Sequence, residues 1–463
     1  MNKIVVLLFL MITLAVPYQI AYAQDQKPQP VYIVQEGDTL NIIAAKFNVS
    51  PEEIIQINNF QNPDILSLGQ QIRIPGFDGI GGILTTKSVA LGENLDSVSI
   101  KNSIPLDILL RLNKTTSPDE LFMGSPLIFP ADDTRKTYNS SLYIDQNTTP
   151  LESSASTGIN QYSYLFSTQG DSVWNNAPGK TIFFSLSGEG KLANPISPTI
   201  NSIMVSPLPI VQGNTIEITI NTKEPVQLSG QLNGHVLNFF SSATNEYIAL
   251  QGIYALANPG VTDFSLTGKF ADGSDFSFSQ SVLVSPGVFG KDPPLSVDPE
   301  TIDPKNTKPE EQLLLSKVKD ATPIKMWNGI FRLPVDEPYC IKSYYGNRRS
   351  YNGGTLTSFH TGLDFGVCAN FNILSPADGI VVYEGEQTVR GNMTIIDHGW
   401  GVYSGFYHQK EIFVKVGDKV SAGQIIGAIG DTGRVTGPHL HYEIWVNGVQ
   451  VEPITWLFDR VFP

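Results

Sequence analysis

Apolar positions along this chain change period repeatedly, and each period predicts a different kind of element. Ile4 to Val16 form an apolar run, with Thr13 its one polar residue, that stops at Pro17, Tyr18 and Gln19, short of the ~20 residues a membrane-spanning helix needs. From residue 31 the pattern becomes strand, helix, helix, strand. Tyr32 and Val34 precede a Gly37-Asp38 turn, Leu40, Ile43, Ala44 and Phe47 follow at helical spacing, Pro51-Glu52-Glu53 opens a second helical run with Ile54, Ile55 and Ile57, and Ile72 and Ile74 alternate. This unit recurs with an offset of 55 residues and no insertion: Gly37-Asp38-Thr39-Leu40 returns as Gly92-Glu93-Asn94-Leu95, Asn58 as Asn113, Gly69 as Gly124, and Ile74-Pro75 as Phe129-Pro130. Two modules are therefore expected, over 31–76 and 84–131.

Residues 132–198 lose this order. They are rich in Ser, Thr and Asn with scattered aromatics (Tyr162, Tyr164, Phe166, Trp174), which reads as a partly ordered connector. Over 199–288 the period is two. Ile216, Ile218 and Ile220 alternate with polar residues, as do Val226 and Leu228, Phe264 and Leu266, and Phe276 and Phe278, with Asn233-Gly234 and Asp272-Gly273 as hairpin turns. Short strands at this spacing predict an immunoglobulin-like β-sandwich, with His235 a surface strand residue after its turn. Pro293, Pro294, Pro299, Pro304 and Pro309 then mark a stiff linker with a short helix near Glu310 to Lys319, over 289–326. Residues 327–463 form the last domain. The fold class expected is multidomain and mainly β, with two small α+β modules ahead of the β-sandwich and an antiparallel β domain.

Charge and the first residues narrow the setting. Lys3 before the apolar run and Ala21-Tyr22-Ala23 after it give residues 1–23 the form of a cleaved signal peptide. No Cys lies near the cleavage point, so lipid attachment there is not expected, and no later stretch would span a bilayer. The mature chain is thus expected outside the cytoplasmic membrane: extracellular, in the cell wall or in the periplasm. The net charge of −14 becomes −15 when Lys3 leaves, a balance that repels phosphate backbones and excludes nucleic acid as the expected partner. The chain has two cysteines, Cys340 and Cys368. In an exported protein, such a pair is expected to form a disulfide.

The chemistry collects in the last domain, which holds five of the six histidines. A zinc hydrolase needs three His or carboxylate ligands with a position open for water, a base for that water and a donor to the tetrahedral oxyanion. His439 and His441, two apart in a strand-like run, share a face, so one can bind metal while the other addresses water or substrate. His360 and Asp364 supply two further ligands from a His-x-x-x-Asp segment. No His-Glu-x-x-His helix occurs in the chain, which leaves a histidine as the base.

Two resemblances extend these readings. Residues 31–76 resemble a LysM module, through Y-x-V-x-x-G-D-T-L, I-A-x-x-F, the central Asn58 and the closing I-x-I-P; residues 84–131 resemble a second, more diverged one, with Asn94 and Ser99 for Thr39 and Ala44. The resemblance implies binding of N-acetylglucosamine-containing glycan in a shallow groove, here at Gly37, Asp38, Thr39 and Leu40 and at Asn62, Pro63, Asp64 and Ile65. Residues 327–463 resemble the lysostaphin/LytM-type zinc endopeptidases. The matching segments are Ser343-Tyr344-Tyr345-Gly346-Asn347-Arg348, His360-Thr361-Gly362-Leu363-Asp364, Ser375 to Val381, Val416 to Gly427 and Thr436-Gly437-Pro438-His439-Leu440-His441. That resemblance implies one Zn2+ per chain held by His360, Asp364 and His441, with His439 and His408 as the catalytic pair. It also implies the stem or cross-bridge peptide of peptidoglycan as substrate. Gln409 follows His408 where the family usually has Leu, and His398 matches a common histidine outside the metal set, read here as structural. The competing function is a wall-binding scaffold that activates another hydrolase; the full set of ligands and catalytic histidines argues for the enzyme.

Overall fold

The structure, a computed structural model, describes residues 29–35, 37–63, 65–115, 121–131, 138, 140–143, 181–184 and 199–463. The expected signal peptide lies outside the described residues, as do Asp64 and most of the connector, including Tyr162, Tyr164, Phe166 and Trp174. Among the described residues no helix is long and apolar enough to cross a membrane. The chain divides into two compact units, Met1–Thr85 with Pro130–Asp132, and Thr86–Phe129 with Asp133–Pro463.

In the first unit, strand Val31–Ile33 pairs antiparallel with Gln71–Arg73, which sets Tyr32 opposite Ile72 on the buried face. The helices Leu40–Phe47 and Pro51–Asn58 begin where side chains can satisfy free backbone N–H groups. Thr39 Oγ1 accepts from Ile42 N at 3.2 Å, and Ser50 and Glu53 form a reciprocal capping box ahead of Pro51. Both helices end on an asparagine in the left-handed region, Asn48 and Asn59. Leu40, Ile43, Ala44 and Phe47 are the buried stripe. Asn58 acts as a substitute strand: its amide donates to Arg73 O and accepts from Arg73 N, both at 2.8 Å, locking the second helix to the closing strand.

The second unit opens with the repeat. Asn94 caps helix Leu95–Asn102 by accepting from Ser97 N, and Asn113, at the end of helix Leu106–Asn113, bonds both backbone groups of Ile128. The central asparagine thus does the same work in both modules. The second module is docked onto the following β domain. Leu91 and Met123 are buried in that domain's core, Met123 N donates to Ser281 O at 3.1 Å, Leu283 N donates to Met123 O at 2.8 Å, and Gly92 N donates to Gln280 Oε1 at 2.8 Å. In the first module the position of Met123 is Leu68, which is 74% exposed.

The β domain has two sheets around one core. Strands run in the order His235–Val236, Val226–Leu232, Gly260–Phe270, Asp275–Ser285, Ile210–Val211 in one, and Phe240–Ala243, Glu246–Gly252, Thr215–Thr222, Ile200–Ser206 in the other. The Asn233-Gly234 turn has positive φ at both residues, as a tight two-residue hairpin requires. His235 follows it, half-buried on an edge strand. Strand Thr215–Thr222 is buried on both faces: Ile216, Ile218 and Ile220 point into the sandwich, while the other face meets the C-terminal domain, where Trp456 Nε1 donates to Thr215 Oγ1 at 3.0 Å and Arg460 pairs with Glu217 at 2.7 Å. The proline-marked stretch after it is also engaged. Leu295 bridges to Tyr351 and Lys291 to Arg348, Asp292 is buried, and helix Pro304–Val318 packs Leu314 and Val318 under Met393, Tyr403 and Trp445.

The C-terminal domain is built on a ten-stranded antiparallel sheet whose main path runs Ile341–Ser343, Leu363–Gly366, His439–Val446, Val402–Ile412, Gly391–Gly399, Gly379–Gln387, Lys419–Val420, with Arg348–Arg349 and Ser358–Phe359 paired apart from it. Its core runs through Phe365, Leu440, Tyr442, Ile444 and Phe406 to Trp327 and Trp456. Cys340 and Cys368 are bonded, Sγ to Sγ 1.95 Å, which ties the edge strand to the one after it.

Candidate metal centre

Strand register brings the polar side chains together. Leu363–Gly366 pairs with His439–Val446 so that Asp364 stands opposite His441 and Gly366 opposite His439. Alternation then puts His439, His441 and Glu443 on one face. His360 precedes the strand and is fixed by its backbone, donating to Asn347 O at 2.8 Å and accepting from Gly346 N at 2.7 Å. The glycine between them is required by space: a Cβ on Gly362 would meet the Tyr442 carbonyl and His441 Nε2.

His408 arrives by a different device. On strand Val402–Ile412, Phe406 pairs with Thr394 and Gln409 with Asn392, so Tyr407 and His408 together oppose Met393. This bulge, with His408 in the left-handed region at φ 62, turns two consecutive side chains toward the site. Tyr407 stacks on His441 with centroids 5.4 Å apart, and the His408 ring is 4.9 Å from His439 and 6.0 Å from His441.

His360 Nε2, Asp364 Oδ1 and His441 Nδ1 lie 2.9 Å from one another. The outer atom of each ligand is committed elsewhere. His360 Nδ1–H faces the Tyr344 carbonyl at 2.9 Å, and His441 Nε2–H faces the Glu443 carboxylate at 3.1 Å. Both partners can only accept, so each neutral ring carries its proton outward and turns a lone pair inward. Asp364 Oδ2 accepts from Arg349 Nη2 at 2.9 Å, leaving Oδ1 for the centre. Three buried acceptors converging without a donor are costly unless a cation lies between them. The donor set, two imidazole nitrogens and one carboxylate oxygen, suits zinc with a position left open.

A second layer holds these atoms. Asp292 accepts from Ser343 Oγ (2.7 Å), Asn347 Nδ2 (2.7 Å) and Arg349 Nε (2.7 Å), so this linker carboxylate sits behind both His360 and Asp364. Glu443 is fully buried and takes Tyr407 Oη (3.0 Å), Trp445 Nε1 (2.8 Å), Gln450 Nε2 (3.1 Å) and Thr361 Oγ1 besides His441. Burial would raise the Glu443 carboxyl, but the His441 hydrogen bond and the Arg390 charge hold it down to about 2. Burial lowers His360 to about 4, partly offset by Asp364. Asp364 is held well below the usual carboxylate range: against burial, its close neighbours His360 and His441 favour the ionised form. His408 is well below its ordinary value through burial and then the neighbouring His439 and His441. Asp292, Asp364, His408, His439, His441 and Glu443 line an open cleft of about 610 Å³.

Arg348, which closes the matched Ser343 to Arg348 segment, donates to the Leu356 carbonyl at 3.3 Å, and it is its neighbour Arg349 that bonds Asp364. Glu443 could have been found from alternation beyond His441; Asp292, in a proline-marked stretch, carries no local signal. His398 is fully buried between the Asp378 carbonyl and Ser404 Oγ, away from the centre. In the first module, Asp38 accepts from Tyr32 Oη and Gln35 N, Thr39 caps a helix and Leu40 is in the core. Gly37, Thr39, Asn62 and Ile65 are exposed, Ile65 at 68%, and Pro63 is half-buried.

The profile of peptidase family M23 matches residues 358–453, the stretch that carries His360, Asp364, His408, His439 and His441. The chain carries a family M23 peptidase domain. The LysM domain profile matches residues 32–75 and 88–130. The peptidoglycan DD-endopeptidase ShyA of Vibrio cholerae is 41% identical over 117 residues, 25% of this chain and 27% of the relative. The DD-carboxypeptidase/endopeptidase Mpg of Neisseria meningitidis is 38% identical over 96 residues, 21% of this chain and 22% of the relative. The chain thus aligns with only about a quarter of the length of these curated relatives. A solved putative M23 peptidase from Pseudomonas aeruginosa is 26% identical, covering 54% of this chain and 96% of that one, with a TM-score of 0.41. The M23 domain belongs to a metallopeptidase family, and His360, Asp364 and His441 form the one candidate metal cluster among the described residues.

Proposed function

We propose that this chain is an exported zinc endopeptidase that cuts peptide bonds in peptidoglycan and is held to the wall by its first LysM module. The observation that carries the reading is the convergence of three lone pairs, from His360, Asp364 and His441, each with its outer atom tied to another group. The names of the curated relatives support the substrate class.

When bound, one zinc ion per chain supplies a Lewis acid that lowers the pKa of water toward neutrality. The remaining work belongs to side chains. His439 Nδ1–H donates to Gly437 O at 2.8 Å, so its Nε2 lone pair points inward, 3.7 Å from Asp364 Oδ1. It is placed to take the proton of the attacking water. His408 Nδ1–H is likewise fixed, on Thr432 O at 2.8 Å, and offers Nε2 beside it. After one proton transfer, the pair holds a single positive charge where the oxyanion develops, and returns the proton to the leaving amine. The second reading, a wall-binding scaffold, would need no such base pair.

Mass spectrometry of products released from purified peptidoglycan, with and without a chelator, tests the proposal. New amine termini that appear only in the metal-loaded protein are expected; intact cross-links under both conditions would leave the scaffold.

A further inference from the structure

The cleft beside the metal centre holds three arginines, and two are matched by carboxylates. Arg349 joins Asp292 and Asp364. Arg390 pairs with Glu310 at 3.2 Å and lies over the Tyr407 ring. Arg434 differs. Its guanidinium sits over the Tyr351 ring, 4.6 Å from the centroid, and Nη1 donates to the Thr301 carbonyl at 3.1 Å. Among the described residues no carboxylate forms an ion pair with it. Glu311, also on this wall, is exposed and pairs with neither arginine.

The Arg434 backbone is registered to the reacting centre. Its N–H donates to Val389 O at 2.8 Å, and two residues earlier Thr432 O holds His408 Nδ1. Arg390, on the same wall, has its Nε–H buried without a partner. The wall therefore offers a planar cation with no carboxylate bonded to it, in a half-buried setting where a charge-assisted pair is strong. Burial, Arg390 and Arg349 disfavour the Arg434 charge and outweigh the support of Tyr351 and Glu310, a cost that an incoming anion would relieve.

We propose that Arg434 binds a carboxylate of the substrate peptide next to the bond that is cut. This rests on the endopeptidase reading and narrows it. The favoured substrate is a cross-linked stem peptide with a free carboxylate near the scissile bond; a glycyl bridge, which has none, is disfavoured.

The test uses the zinc-loaded full chain and two synthetic cross-linked peptide dimers that differ at one carboxylate, free in one and amidated in the other. The wild type is expected to cut the acidic dimer with a kcat/KM about 10- to 100-fold higher, the usual span for a hydrogen bond to a charged group. Arg434→Gln should erase that preference, bringing the acidic dimer's kcat/KM down to that of the amidated one, and Arg434→Lys should keep part of it; zinc content and thermal unfolding verify that both variants fold. Equal wild-type rates, or a preference that survives Arg434→Gln, overturn the proposal without touching the endopeptidase reading. Should neither dimer be cut, that reading fails, and calorimetric binding decides the carboxylate site alone. Tighter binding of the acidic dimer to wild type than to Arg434→Gln supports the site, and equal binding overturns it.

Discussion

Asp364 and His441 face each other across two antiparallel strands, with Asp364 Oδ1 2.9 Å from His441 Nδ1. His439, two residues earlier on the same face, stands opposite Gly366, and its Nε2 is 3.7 Å from the same oxygen. Cross-strand register thus separates two histidines that look equivalent in the Gly-Pro-His-Leu-His segment.

The first prediction follows from that separation. His441→Ala should remove both bound zinc and activity, whereas His439→Ala should keep most zinc and lose about 10²- to 10⁴-fold in kcat, the range for a missing acid–base group. Metal content by atomic emission, measured beside hydrolysis, checks both. Zinc retained in His441→Ala and lost in His439→Ala would reverse their roles.

Glu443 should matter through His441. It fixes which His441 nitrogen carries the proton, and losing such an outer partner commonly weakens metal binding about 10- to 100-fold. Glu443→Gln preserves the shape but can turn an N–H toward His441 Nε2. Competition with a chromogenic chelator should show the weaker affinity. Unchanged zinc affinity would mean that the carboxylate serves packing alone.

Much of this organisation was legible in the chain. The 55-residue repeat gave both modules because cap, stripe and central asparagine recur together, and Asn58 and Asn113 perform one backbone-bridging task. Of the candidate metal cluster, His360 and Asp364 were read from a His-x-x-x-Asp segment, while His-x-His left His439 and His441 open and only the resemblance to the lysostaphin/LytM-type endopeptidases chose His441. What stayed hidden depends on register and on distant contacts. Tyr407 and His408 are consecutive, so alternation would send them to opposite faces; only the bulge brings both to the site. Arg348 and Arg349 are adjacent, and the strand Arg348–Arg349 decides which one reaches Asp364. Asp292 lies far from its partners in sequence, in a stretch whose prolines suggest only stiffness.

The two modules should differ in wall binding. In the first, Ile65 and Leu68 are exposed at 68% and 74%. In the second, Leu91 and Met123 are buried in the β domain's core and Gly92 N is bonded to Gln280. Burying such side chains typically contributes about 1.5–3 kcal/mol each, so that surface is committed to docking. Full-length protein with Ile65→Ser and Leu68→Ser should sediment less with insoluble peptidoglycan, with its thermal stability unchanged. Met123→Ser should lower stability and leave sedimentation intact. Sedimentation that depends on Met123 and ignores the first pair would overturn the ranking.

His398 should make the protein acid-sensitive independently of metal. It is fully buried, donating from one ring nitrogen to the Asp378 carbonyl at 2.8 Å and accepting from Ser404 Oγ at 2.7 Å with the other. Burial lowers its pKa to about 4 despite the Asp378 contact, while an unfolded histidine titrates near ~6.5. Between those values the unfolded chain binds a proton that the folded chain refuses, so its contribution is present above pH ~6.5 and is lost as pH falls toward 4. The difference corresponds to about 3 kcal/mol over that window. Urea unfolding of the full chain in excess chelator, from pH 7 to 4.5, should show stability falling with pH, and His398→Gln should remove this part of the slope. His360 also titrates low and acts in both proteins, so the difference between their slopes isolates His398. Parallel slopes would mean that His398 accepts its proton inside the fold, with Ser404 turning to receive it.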